Sequence, residues 1–230
     1  MRYVLLNVEH EKSETHFYTL ILRDQYFDTA MYQLHMSEIV VGLDEAGAGP
    51  GFGSLWAAAV HLPCDIPGLA DSKKLSEKRR NDLRAQLLSS AYYGLGEVTA
   101  SEIDSWGMAE ARRLVFERAL DDYVSRNGPS PTRLEVDGTI FRPWSHNGEV
   151  IPSHLQPGAD ALIPCASAAS ILAKTTRDAQ VVEMCDNHPY LQEYYDLRAN
   201  KGYLSHRHIQ GIREHGRSEW HRHSFHIRSL

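Results

Sequence analysis

One stretch, Ile39 to Gly53, constrains the fold of this chain more than any other, and it reads IVVGLDEAGAGPGFG. It begins with a β-branched apolar run, which predicts a buried central strand that ends at a glycine-rich loop. Two adjacent acids, Asp44 and Glu45, stand at the end of that run. Burying carboxylates is costly unless cations meet them, so the pair predicts hard divalent metals nearby. For this stretch alone, a strand that runs into a polar turn, where Asp, Glu and Gly are common, is the favoured interpretation, and the metal site gains support only from further acids along the chain.

The rest of the pattern predicts an α/β domain. Further strands are indicated by short β-rich runs at 55–62, 91–98 and 132–137. Helices are indicated by amphipathic or N-capped segments at 77–88, after Thr99 or Ser101, at 106–126 and from about 167 onward, with Ser76 as the cap of the first. Residues 141–158 are rich in Pro and Gly, which predicts a loop. Strands that alternate with helices are typical of a mixed sheet flanked by helices.

Residues 1–37 are predicted to be an N-terminal extension, separate from a main domain at 38–230. Two β-rich runs, Tyr3 to Val8 and His16 to Leu22, flank a polar segment, which predicts a hairpin followed by a linker. The apolar run at the N-terminus is too short, and too soon followed by charged residues, for a secretory signal. No apolar run has the ~20 residues of a membrane span. Three cysteines without a CxxC pair are typical of reduced thiols. We therefore expect a cytoplasmic protein with no membrane contact.

Two more acids repeat the pattern of the first stretch. Asp137 precedes a glycine at the end of a short strand, and Asp160 stands between the Pro/Gly-rich segment and a helix. Four carboxylates along one sheet edge would repel each other and raise some pKa values unless cations compensate. Two divalent ions about 4 Å apart would do so, and such pairs cleave phosphodiesters. The alternative for Asp160 is an acid that merely flanks a helix, and Asp178 competes for its role.

Charge is unevenly distributed along the chain. The net charge of −6 argues against a protein coated in positive charge for non-specific nucleic-acid binding. Lys73 and Lys74 precede a helix start, where they are either part of a solvated face or contacts to phosphate. The segment 198–228 is basic and holds six of the thirteen histidines. Their spacing matches no standard zinc pattern, so a basic flank beside a substrate groove is favoured over a zinc site.

Six segments of the chain resemble type 2 ribonuclease H (ribonuclease HII), in order and across nearly all of 38–226. They read DEAGAGPGFG, ADSKKLS, EVDGT, GADALIPCASAASILAKTTRD, NKGY and EHGRSEWHRHSF. The resemblance implies a ribonuclease H-like mixed β-sheet flanked by helices, with a helical C-terminal region, here preceded by the hairpin-like extension. It implies hydrolysis of the RNA strand in RNA–DNA hybrids and incision 5′ of ribonucleotides embedded in duplex DNA, giving 5′-phosphate and 3′-hydroxyl ends. Two ions of Mg²⁺ or Mn²⁺ are the implied cofactors, and we expect a monomer.

The resemblance assigns site residues by position. The catalytic, metal-binding carboxylates are Asp44, Glu45, Asp137 and Asp160. Tyr203, in NKGY, matches a tyrosine that packs on the sugar at the junction, where an aromatic ring can sense a 2′-hydroxyl. Without the resemblance, Tyr203 would be read as an aromatic that packs a turn. The other residues that the resemblance places at the substrate are Gly47, Ala48, Gly49, Lys73, Lys74 and Ser170.

The chain departs from the family pattern at two positions. The family's Gly-Arg-Gly is Gly47-Ala48-Gly49 here, and the lysine two residues before the fourth acid is Gly158. Two fewer cations predict weaker phosphate binding. One alternative is therefore a hybrid-binding protein of the same fold with weak or lost junction-specific cleavage because of Ala48. Another is a different two-metal enzyme of this fold, which Tyr203 and ADSKKLS disfavour. Four intact carboxylates favour an active enzyme.

Overall fold

The structure, a computed structural model, describes residues 38–69 and 75–227, together with the backbone of two strands near the N-terminus. These strands, β1 (Tyr3–Val8) and β2 (His16–Ile21), pair antiparallel with Tyr3 opposite Ile21. The chain divides into two compact units, Met1–Glu38 and Ile39–Leu230. The linker predicted after the second strand lies outside the described residues, and so do Lys73 and Lys74.

A mixed sheet organises the larger unit, and its middle strand is β3 (Val40–Ala46). The strands that follow along the chain are β4 (Leu55–His61), β5 (Tyr92–Val98), β6 (Arg133–Asp137), β7 (Ser145–His146), β8 (Glu149–Val150) and β9 (Ser153–Gln156). Five of them form one sheet in the order β5-β4-β3-β6-β9 within the described residues. Strand β4 pairs antiparallel with both β3 and β5, whereas β6 pairs parallel with β3 and β9 pairs parallel with β6.

Helices cover both faces of this sheet. In chain order they are α1 (Glu77–Ser90), α2 (Ala100–Ser125), α3 (Pro164–Asn187), α4 (Pro189–Tyr195), α5 (Leu197–Asn200) and α6 (His206–His215). Helix α2 packs on one face, where Val115 and Phe116 meet the inward side chains of β3 and β4. Helices α1 and α3 pack on the other face against Ala58 and Val60. Alternate residues of β4 thus point to opposite layers, as a strand buried on both faces requires.

Most predicted elements are confirmed, with two corrections. The helical stretch predicted after Thr99 or Ser101 and the helix predicted at 106–126 form one element, α2, which begins at Ala100 with a reciprocal capping box between Thr99 and Glu102 and has a kink at Gly107. The loop predicted at 141–158 is wrong for residues 145–146 and 149–150, which pair as β7 and β8, and for residues 153–156, which form β9. This edge strand is exposed and lacks an apolar alternation, so only its pairing with β6 makes it a strand. Among the helices of the described residues, none has the length and apolar content that a membrane span requires.

Candidate active site

Three of the predicted acids meet at one edge of the sheet. Asp44 lies near the end of β3 and Asp137 ends β6, so two adjacent parallel strands bring their carboxyl-terminal ends together. Asp160 belongs to a short 3₁₀ helix, Ala159–Ala161, which leads into α3. One carboxylate oxygen from each acid lies within 4.8 Å of the others. In the part of the chain that the structure describes, this is the one cluster of three or more acids, histidines or cysteines with such spacing.

The close approach of α3 to β3 sets the geometry of this cluster. A side chain on Gly42 would place its Cβ closer than 3.0 Å to the backbone of Cys165 and Ala166, so only glycine allows the helix to lie directly on the strand. That contact brings Ser170, one turn further along α3, against Asp44, whose carboxylate it hydrogen bonds. Ser170 is itself buried, and its predicted contact with phosphate stays a prediction.

Asp44 lies in an environment that disfavours its negative charge. Its side chain is 5% exposed, and this burial raises its pKa well above the usual range. The hydrogen bond from Ser170 opposes the shift, while the charges of Glu45 and Asp137 add to it. A divalent cation would relieve this cost, and clustered carboxylate oxygens are the ligands that Mg²⁺ and Mn²⁺ prefer. The donor set therefore fits the implied metals.

Asp137 is fixed by the backbone that leads to Asp160. Its Oδ1 accepts hydrogen bonds from the backbone N–H groups of Gly158 (2.6 Å) and Ala159 (3.0 Å). Gly158 adopts a φ of 80°, a left-handed conformation that glycine tolerates better than other residues. The glycine that replaces the family's lysine thus helps to tie two of the acids together, although it supplies no charge.

The fourth predicted carboxylate, Glu45, is not part of the acid cluster. Its Oε1 forms a close ion pair with Arg112 Nη2 of α2. Burial raises the pKa of Glu45, and the nearby guanidinium opposes this shift. Arg112 is a residue that sequence reasoning missed. The available signal was its place in the apolar stripe of α2, four residues after Met108 and next to buried Ala111.

The loop that follows the first two acids, residues 47–53, is called the glycine loop here. Three backbone hydrogen bonds join it to residues far along the chain: Gly51 N–H donates to Gly202 O (3.0 Å), Gly53 N–H to Trp220 O (2.9 Å), and Arg222 N–H to Gly51 O (2.9 Å). The C-terminal part of the domain therefore determines the shape of the loop.

Two buried arginines hold the carbonyl groups of the glycine loop. Arg177 of α3 donates from Nη2 to Phe52 O (3.3 Å) and to Lys201 O (2.7 Å). Arg222 donates from Nε to Gly53 O (2.9 Å). Each side chain is 1% exposed, and burial, together with the charge of Arg177, lowers the pKa of Arg222 to about 9. Neither role was predicted from the sequence: Arg222 lies in the segment 198–228, which was predicted to be a basic flank, and Arg177 lies in α3.

Tyr203 lies beside the glycine loop. Its side chain is 51% exposed, and its Cε1 is 3.6 Å from the position that a Cβ on Gly49 would take. The backbone N–H of Tyr203 donates to Asn200 O (3.0 Å), which holds it in the turn after α5. The structure thus brings together the glycines of the loop, Ala48 and Tyr203. Lys73 and Lys74, the other predicted substrate contacts, lie outside the described residues.

A chain of hydrogen bonds runs beneath Tyr203 through two buried histidines. The Ser218 N–H donates to His221 Nδ1 (2.9 Å), so His221 carries its proton on Nε2 and donates it to His208 Nε2 (3.0 Å). His208 in turn donates from Nδ1 to Tyr203 O (2.9 Å). Burial is the main cause that lowers the pKa of His221 to about 3, and burial also lowers the pKa of His208. Both rings are therefore neutral, and their partners are not those of a zinc site.

This pair predicts a pH dependence of stability. Above about pH 6.5, the pKa of histidine in an unfolded chain, neither state binds a proton there. Below it, the unfolded chain takes up protons that the folded chain excludes, so the free energy of unfolding falls as the pH falls toward about 3. In chelator, urea unfolding from pH 6.5 to 4.5 should be less steeply pH-dependent for His221→Asn than for wild type, by up to about 1.4 kcal/mol per pH unit.

His223→Asn is the matched control for that measurement, because His223 is exposed and only its backbone N–H binds Asp104. It should retain the wild-type slope. Because the carboxylates are unchanged in all three proteins, their own titration cancels in the comparison. Equal slopes for wild type and His221→Asn would contradict the assignment of a neutral pair.

Comparison with known proteins finds relatives along the whole domain. A family model described as Ribonuclease HII matches residues 41–228. Ribonuclease HII of Sphingopyxis alaskensis is 36% identical over 200 residues, which are 86% of this chain and 94% of that protein. Ribonuclease HII of Burkholderia thailandensis is 40% identical over 191 residues, 82% of this chain and 83% of its own. The crystal structure of the ribonuclease H2 from Pyrococcus horikoshii OT3 aligns with a TM-score of 0.63 at 25% identity, covering 81% of this chain and 93% of that one.

Proposed function

The chain belongs to the ribonuclease HII family, endonucleases that act on the RNA of RNA–DNA hybrids, and from this premise we propose that it also incises duplex DNA 5′ of an embedded ribonucleotide. One observation carries the proposal. The cluster of Asp44, Asp137 and Asp160 forms at the end of the strand from which the glycine loop departs, and Tyr203 lies against that loop. The acid cluster that would cut a phosphodiester and the tyrosine that would contact a sugar are then neighbours.

The acids of the site are proposed to hold two ions of Mg²⁺ or Mn²⁺. Asp44, Asp137 and Asp160 offer oxygen ligands, and Glu45 would join them once its side chain leaves Arg112. When bound, the ions would lower the pKa of water and neutralise charge on the phosphate. The protein's part is to keep Asp44 ionised beside its neighbours, with Ser170 donating to the carboxylate and the Gly158 and Ala159 N–H groups orienting Asp137.

Hydrolysis adds one water across the bond between phosphorus and the 3′ oxygen, which leaves a 5′-phosphate and a 3′-hydroxyl. For a cut 5′ of a lone ribonucleotide, the site must recognise the 2′-hydroxyl on one side of that bond. The glycine loop offers backbone groups for this purpose, and Arg177 and Arg222 hold its carbonyls in a fixed conformation. Because the 2′-hydroxyl would be recognised by backbone groups of the loop, this recognition does not require an arginine side chain at position 48. Ala48 is therefore compatible with junction cleavage.

The experiment that tests the proposed function is a cleavage panel with three duplexes: all DNA, an RNA–DNA hybrid, and DNA with one ribonucleotide. Each is incubated with Mg²⁺ or with Mn²⁺, and the ends are mapped. We expect incision 5′ of the lone ribonucleotide, cleavage of the hybrid, no cleavage of DNA, and loss of both activities in Asp137→Asn. Cleavage of the hybrid alone would refute junction incision. Binding without cleavage of either substrate would instead support the hybrid-binding alternative.

Tyr203 provides a prediction within this panel. Stacking on an aromatic side chain contributes about 1–3 kcal/mol per nucleotide, so Tyr203→Ala should lower kcat/KM at the lone ribonucleotide by about 5- to 150-fold. Tyr203→Phe keeps the ring and should stay within about threefold of wild type. The ratio of junction to hybrid cleavage should fall in the alanine variant, because a uniform hybrid offers many alternative sugars. An unchanged ratio would remove Tyr203 from junction recognition.

A further inference from the structure

Arg112 is a cation beside the acids, and neither the family assignment nor the proposed chemistry gives it a role of its own. Its Nη2 contacts Glu45 Oε1 at the end of β3. The same nitrogen is 3.4 Å from the position of a Cβ on Gly138, the residue directly after Asp137. The guanidinium thus lies between the ends of the two strands that carry Asp44 and Asp137. Glu45 would hold a divalent ion in this same region.

The ion pair accounts for an incomplete acid cluster. Three carboxylates converge within 4.8 Å, whereas the adjacent Glu45 is held by Arg112. A charged guanidinium near the site also repels a divalent ion. For Glu45 to become a ligand, its bond to Arg112 must be lost or weakened. Both effects have the same sign, since each lowers the affinity of the site for metal.

The position of Arg112 also allows its side chain to be displaced from Glu45. Its side chain is 24% exposed, so it has a path to solvent.

We propose that Arg112 is a built-in counter-cation of Glu45, which divalent metal must displace, and that it thereby sets the metal concentration at which the active site assembles. The proposal rests on the proposed metal-dependent function. It makes Arg112 a positioning residue, because it acts through Glu45 rather than on the substrate. It also assigns a cation to a site that lacks the family's arginine and lysine, at Ala48 and Gly158.

The test is calorimetric titration of Mn²⁺ into the substrate-free protein. Arg112→Gln, which keeps most of the length but not the charge, should bind Mn²⁺ about tenfold more tightly than wild type. Arg112→Lys keeps a charge in a less favourable geometry and should lie between the two. Arg113→Gln is the matched control, since Arg113 is the next residue of α2 but pairs with Glu110. It should bind Mn²⁺ as wild type does.

A second measurement separates this role from a purely structural one. In chelator, Arg112→Gln should melt at a lower temperature than wild type, because Glu45 is left buried without its partner. Excess Mn²⁺ should raise the melting temperature more in the variant than in wild type, and so close most of the gap. A structural ion pair would give a loss of stability that metal does not restore.

The outcomes distinguish the two proposals. If wild type binds Mn²⁺, Asp44→Asn does not, and Arg112→Gln binds no more tightly than wild type, the role of Arg112 is overturned while the metal site stands. If Mn²⁺ binds wild type and Asp44→Asn alike, the acid cluster is not the metal site and the proposed function fails with it. Should Arg112→Gln fail to fold, Arg112→Lys decides the question by the direction of its change.

Discussion

Asp44→Asn is expected to abolish cleavage and, at the same time, to stabilise the metal-free protein. Loss of one central carboxylate should lower kcat/KM by at least about 1,000-fold, equivalent to ~4 kcal/mol of transition-state stabilisation. The folded state disfavours the charge of Asp44, because its raised pKa arises from burial and from like charges. Protonation of Asp44 in the folded state therefore stabilises the protein at low pH, and this stabilisation is lost as the pH rises through the folded pKa. Asparagine avoids this loss, so about 1–2 kcal/mol of added stability is expected at pH 7.

The measurement is thermal unfolding in chelator beside a cleavage assay with Mg²⁺. A gain of that size in a domain of this length raises the melting temperature by about 2–4 °C per kcal/mol. The difference in melting temperature between Asp44→Asn and wild type should shrink toward pH 4, where the carboxyl of Asp44 in the unfolded chain also becomes protonated. Asp178→Asn is the control, since Asp178 pairs with Lys174 on α3 outside the acid cluster. It should retain activity without the gain in stability. An Asp44→Asn protein that is less stable than wild type at pH 7 would contradict the account.

Gly42→Ala is expected to be the most destabilising single-methyl change near the site. Its Cβ would overlap the backbone of Cys165 and Ala166, so α3 must move away from β3. Overpacking against backbone that cannot yield should cost about 3 kcal/mol or more. Because the same contact aligns Asp44 with Ser170 and Asp160, the molecules that still fold should cleave at least about tenfold more slowly. Urea unfolding gives the first quantity, and cleavage per folded molecule gives the second.

Gly94→Ala is a matched control on the other side of the sheet. Its Cβ would also come closer than 3.0 Å to backbone, that of Tyr123 and Ala119 in α2. The loss of stability should be similar, but the acids lie elsewhere, so the folded molecules should cleave at the wild-type rate. If both variants lose specific activity equally, the contact between β3 and α3 does not set the geometry of the acids.

The sequence predicts the elements whose signals are local. The β-branched run before Asp44 gives β3, Ser76 and Thr99 start α1 and α2, and the acids at strand ends converge as strand direction requires. Strand β9 escapes prediction because its stability comes from pairing with β6 rather than from its own residues. The order of strands is likewise a property of contacts between distant segments.

The site is predicted less completely than the fold, for a physical reason. Acids and glycines at a site can be recognised from their residue type and position in the sequence. The roles of Arg112, Arg177 and Arg222 can be recognised only once their burial is known. The pairing of Glu45 with Arg112 depends on how α2 lies across β3, which periodicity does not encode. The position of the proton on His221 Nε2, which lets that ring donate to His208, depends on the N–H of Ser218.

The hydrogen bond between Arg222 and Gly53 joins residues 169 positions apart, and this separation has a consequence for the timing of synthesis. At about 5–20 residues per second, the ribosome adds Arg222 roughly 10–30 s after the glycine loop. During that interval the acids and the loop are already made, but the residues that shape the loop are not. During synthesis the nascent chain is therefore close to messenger and ribosomal RNA while its glycine loop still lacks these partners. The hydrogen bonds that hold the loop are complete only when Arg222 has been added.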